Sequence, residues 1–158
     1  MRSFPARVWL AFMALAAIDL AGATLSAAEL AGRAGRGRPD LTFTGGAQST
    51  LGFVGSIAVY ALLARAVLRA GGDGRLALRD GLIAGILAGA VGTAITLVAL
   101  GGYLQELGGR YGAPAELSLA IAGVFAFLVS VVGGGVFGGA LTWLAHLVLS
   151  RTPRRPPP

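Results

Sequence analysis

The sequence predicts an all-α fold: a polytopic integral membrane protein with four transmembrane helices in a compact bundle. Three observations predict it. Only 13% of the 158 residues are charged while 55% are hydrophobic, against roughly a quarter charged in soluble domains. Four apolar runs, at residues 8–28, 51–68, 81–104 and 117–149, each reach the roughly 18–20 residues that cross a ~30 Å hydrocarbon layer. The connections between them are short and rich in Gly, Pro and Arg, which leaves no length for a soluble domain. Residues 1–150 are therefore read as one membrane domain with spans at about 8–28, 51–68, 81–104 and 120–148.

In the first span Trp9 follows Arg7, as expected where a helix enters the lipid interface. Asp19 lies near the middle of this run. A carboxylate at the centre of a spanning helix costs about 2.5–3.5 kcal/mol, so it is expected to face the bundle interior. Ala16, Gly22, Ala23 and Ser26 share its face, and bulky Leu15, Ile18 and Leu25 are expected to meet lipid. Residues 1–28 also fit a signal peptide, with Arg2 and Arg7, an apolar core and a cut after "SAA". The loop "GRAGRGRPD" at 32–40 lacks the interleaved aromatics of a nucleic-acid-binding segment, so no nucleic acid is expected as a partner.

The second span carries Tyr60 near its middle, on the same face as Gly52 and Ser56, and Arg65 near its end, where a guanidinium snorkels to the surface. "GGDG" at 71–74 makes a tight turn. Asp80 stands where a carboxylate would cap the third helix. In that helix Gly81, Gly85, Gly89, Gly92 and Thr96 fall within an arc of roughly 80°. The fourth run repeats the pattern with Gly123, Ser130, Gly134, Gly138 and Thr142. Small residues four apart let backbones approach inside lipid, so these two stripes predict a glycine zipper between the third and fourth helices, or between copies of the chain. "GAPAEL" places Pro114 and Glu116 in the first turn of the fourth helix. Its 33 apolar residues exceed one span, so it either tilts and protrudes, breaks at Gly133, Gly134 and Gly135, or turns back as a re-entrant hairpin. The tail at 151–158, "RTPRRPPP", is expected to be disordered.

Orientation follows from arginine, the only basic residue type besides the one histidine. With the N-terminus inside, nine arginines (2, 7, 65, 69, 75, 79, 151, 154 and 155) lie on the cytoplasmic side and four (33, 36, 38 and 110) outside. Short arginine-rich loops stay in the cytoplasm, which predicts a cytoplasmic-membrane protein with both termini cytoplasmic and a basic surface facing anionic lipids.

Function is less legible. Cysteine is absent and histidine single, which excludes thiol chemistry, disulfides and His-rich metal centres; no metal or other cofactor is expected. Ser56 and His146 fall at opposite ends of their spans, too far apart for a catalytic dyad. No phosphate loop or dinucleotide fingerprint occurs, and no enzyme activity is expected. What remains is a polar cluster at mid-depth: Asp19, Tyr60, Thr93, Thr96 and Ser130. It serves either as a hydrogen bond that pins helix register or as a site for transport or proton transfer. "DLAGATL" at 19–25 resembles the first-helix motif of the small multidrug resistance transporters, with Asp where that family has Glu. The resemblance implies that Asp19 binds protons and cations in turn. The primary expectation is a non-enzymatic structural or accessory membrane subunit, with membrane lipids, a second copy or another membrane subunit as partners; the alternative is a small proton- or cation-coupled transporter.

Overall fold

The computed structural model describes residues 5–34, 46–110 and 115–151. Residues 35–40 of the expected outer loop, Pro114 and the tail beyond Arg151 lie outside them, while residues 32–34, expected in that loop, continue the first helix. Four α-helices follow one another: α1 Ala6–Ala34, α2 Gly46–Arg69, α3 Gly74–Arg110 and α4 Ala115–Arg151. Each contains a stretch long and apolar enough to cross a membrane, at Ala6–Ala28, Gly52–Arg69, Gly74–Ala99 and Gly123–Arg151. The protein is an all-helical, multi-pass membrane bundle. Among the described residues there is no strand.

Hydrocarbon offers no hydrogen-bond partner, so a spanning segment must satisfy its backbone within itself. This explains α4, which runs unbroken through Gly133, Gly134 and Gly135. Each glycine costs about 1 kcal/mol of helix propensity, whereas a break would strand peptide groups in lipid at several kcal/mol each. The break and re-entrant alternatives are therefore replaced by one helix of 37 residues.

The α2–α3 turn is set by local chemistry. Gly71 adopts φ +71°, a left-handed conformation open to glycine. The Gly72 amide donates to the Val67 carbonyl at 2.9 Å and the Gly71 amide to Leu68 at 3.1 Å, the paired bonds of a Schellman cap. Asp73 then caps α3, its Oδ1 accepting the Leu76 amide at 2.9 Å. Asp80 is thus not the cap: α3 begins at Gly74, almost two turns earlier. Hydropathy marks where lipid begins, whereas the helix ends where its cap sits.

Helices α3 and α4 run antiparallel with backbones in contact. A methyl group on Gly81 would overlap the Gly138 carbonyl and Thr142; on Gly85, the Gly134 carbonyl; on Gly89, the Ser130 carbonyl. Each four-residue step along α3 is matched by a four-residue step back along α4. The correspondence extends from Gly74 against Trp143 to Leu97 against Gly123. Helix α1 lies parallel to α3 and contributes Val8, Ala11 and Leu15 to a core shared with Tyr60, Leu63, Ala84 and Ala88.

Two expectations about α1 are corrected. Leu15 is buried in that core, because a residue four positions before Asp19 is 40° away on the helix, as is the residue four after it. Ile18 packs on α2, its side chain within 3.8 Å of a methyl placed on Gly52 and 3.1 Å of one on Gly55. Leu25 does face outward.

Candidate functional site

Parallel packing of α1 on α3 brings Asp19 to Gly92. A methyl on Gly92 would lie 2.5 Å from Asp19 Oδ2 and 3.0 Å from its Cγ. The carboxyl group thus fills the space a side chain at position 92 would need. Gly92 is on the predicted stripe, but it seats Asp19 of α1 where Gly81, Gly85 and Gly89 receive α4. Asp19 is half-buried, and among the described residues no hydrogen bond or ion pair reaches its carboxyl.

The other members of the predicted cluster are placed less uniformly. Tyr60 is buried, and its hydroxyl would lie 2.8 Å from a methyl on Gly138, beside the α3–α4 contact. Its ring meets Phe137 edge-on at 6.4 Å. Among the described residues no hydrogen bond joins Tyr60 to Asp19. Thr93 is buried and donates to the Gly89 carbonyl at 2.8 Å; Thr96 is exposed and donates to Gly92 at 2.9 Å. Both hydroxyl protons are therefore committed to their own helix, the back-bonding usual for Thr in spanning segments. Ser130 meets α3 through its backbone carbonyl, at Gly89. Of the predicted cluster, Asp19 thus lies at Gly92 with Thr93 and Thr96 following it along α3, Tyr60 lies against α4 at Gly138, and Ser130 is part of the α3–α4 backbone contact.

A second polar constellation lies at the bundle end that carries the α2–α3 turn. Asp80 is completely buried and accepts from Arg7 Nε at 2.7 Å and from Arg79 Nη2 at 3.2 Å. One turn beyond the Gly81 contact on α4, His146 is buried with its Nε2 3.1 Å from the Gly72 carbonyl, which ties α4 to the turn. Its Nδ1 has no partner. Thr142, one turn before His146, is fully buried and donates to the Gly138 carbonyl at 2.7 Å. Sequence reasoning missed these links. The available signal was an acid and an arginine at matching depth in different helices, which hydropathy segments the wrong way.

Ser56 donates to the Gly52 carbonyl at 2.9 Å, within its own helix. Among the described residues no group of three or more His, Cys, Asp or Glu side chains could hold a metal. Compared with known proteins, the chain matches no family model, no curated protein and no solved structure.

Proposed function

We propose that this protein is a small membrane transporter in which Asp19 takes up and releases a proton or a cation. One contrast carries the reading. Among the described residues two acids lie inside the bundle, and they are treated oppositely. Asp80 is held by two arginines, the treatment expected of a structural carboxylate. Asp19 sits near the middle of α1 against a bare glycine with no bonded partner among the described residues. A register-pinning role requires a hydrogen bond, and a lipid-embedded ionisable group left without one is by default a functional group. Thr93 and Thr96 would line the site with hydroxyl oxygens. The arginine asymmetry supports placing the α2–α3 turn and both chain ends on the cytoplasmic side of the cytoplasmic membrane.

The test uses proteoliposomes loaded with a pH-sensitive dye and challenged with sodium, potassium or tetraphenylphosphonium. At least one cation should release protons through the wild-type protein and not through Asp19→Asn, which keeps the shape and removes the charge. Equal traces for both proteins with all three cations would refute the reading.

A second reading, a non-enzymatic structural or accessory subunit, draws support from α4. Gly133 has open space around it, and Ala126, Gly133 and Ala140 are exposed along one outward line. Such a line suits close approach by another spanning helix. Cysteine cross-linking through position 133 in membranes should then trap a second chain; monomer alone would count against it.

A further inference from the structure

We propose that Arg7, Arg75 and Arg79 form a binding site for the phosphate group of an anionic lipid, organised by the buried carboxylate of Asp80. Asp80 is 0% exposed, while Arg7 and Arg79 are 23% and 61% exposed. One carboxylate therefore anchors two guanidiniums from within and leaves the trio with one net positive charge. Arg7 bonds Asp80 through Nε, which leaves both of its Nη groups; Arg79 uses Nη2, which leaves Nε and Nη1. Arg7 is partly and Arg79 largely exposed, so both side chains reach the surface. Guanidiniums held in fixed orientation present the forked donors that match phosphate oxygens.

A further feature calls for an anion here. Arg75 is exposed one turn before Arg79 on α3, and like charges at this spacing repel. A phosphate shared by these arginines offsets that penalty. A lipid is the source because the site sits at the end of two spanning segments, with exposed Leu10, Leu78 and Leu82 nearby on the same two helices to accept an acyl chain.

The full chain in detergent, offered an equimolar mixture of phosphatidylglycerol and phosphatidylcholine, would be weighed by native mass spectrometry. The wild type should retain phosphatidylglycerol preferentially, and Arg75→Gln with Arg79→Gln should reduce that preference by about fivefold per arginine. Arg75→Gln alone, which leaves the Asp80 bonds intact, should show the single-arginine loss even if the double variant unfolds. Arg65→Gln with Arg69→Gln, exposed on α2, should leave the preference unchanged. Equal retention of both lipids by the wild type would overturn the proposal, as would a preference that survives Arg75→Gln or falls equally in the α2 variant. Complete displacement of phosphatidylglycerol by millimolar inorganic phosphate would overturn the lipid as the source.

Discussion

Arg7 and Asp80 join α1 to α3 through a 2.7 Å bond, and this fixes the parallel register that delivers Asp19 to Gly92. From Arg7 to Asp19 and from Asp80 to Gly92 the chain advances by the same twelve residues. A structural ion pair at one end of the bundle thereby positions the unpartnered acid in its middle.

Arg7→Gln should lower stability by about 2 kcal/mol, less than the full penalty for breaking a buried pair because Arg7 is partly exposed and Arg79 remains bonded. Thermal unfolding in detergent checks this. Asp80→Leu with Arg7→Leu should recover much of the loss, since an apolar pair leaves no buried charge. A double variant as unstable as Arg7→Gln would contradict an origin of the loss in uncompensated buried charge.

The α3–α4 contact separates two glycines that composition treats alike. Gly85→Ala drives a methyl into the Gly134 carbonyl, a backbone atom that cannot rotate away, and should cost about 1–3 kcal/mol. Gly133→Ala meets nothing within 4 Å and should leave the unfolding temperature unchanged or slightly raised, because alanine is the better helix former. Equal effects of the two substitutions would contradict the backbone contact.

Gly92→Ala has a different expected signature. Its methyl would meet Asp19, the end of a movable side chain, so the fold should survive while the carboxyl is displaced. Cation-driven proton release in proteoliposomes should fall severalfold with little change in unfolding temperature. Loss of folding without a selective loss of activity would mean that Gly92 serves helix contact alone.

In the α2–α3 turn, Gly71→Ala should destabilise by about 1 kcal/mol, the cost of a side chain in the left-handed region. Removing the His146 link with His146→Phe should loosen the same turn, seen as faster amide exchange at Gly71 and Gly72, whose amides bond Leu68 and Val67. Unaltered exchange would show that the Schellman bonds alone hold it.

The four spans were legible because hydropathy over about 20 residues reports a requirement of the solvent, and no local detail overrides it. The interior placement of Asp19 was legible for the same reason. Its partner was not. Contacts between helices depend on register, and register here is set by Arg7 and Asp80, which hydropathy assigns to the flanks. The stripe on α3 was visible as spacing, but spacing alone cannot assign Gly92 to α1 and Gly85 to α4. Leu15 was misplaced because bulk was read as lipid-facing, whereas the core beside Ala84 and Ala88 needs a large side chain to fill it.

The most direct test of the central claim, that Asp19 is an unpartnered, exchangeable carboxyl within the membrane, is its reactivity toward a lipid-soluble carbodiimide. In native membranes, peptide mass spectrometry should find the adduct at Asp19 and not at the arginine-bound Asp80, with labelling that falls as pH rises and the acid ionises. An inert Asp19 at every pH, or equal labelling of both acids, would contradict the account.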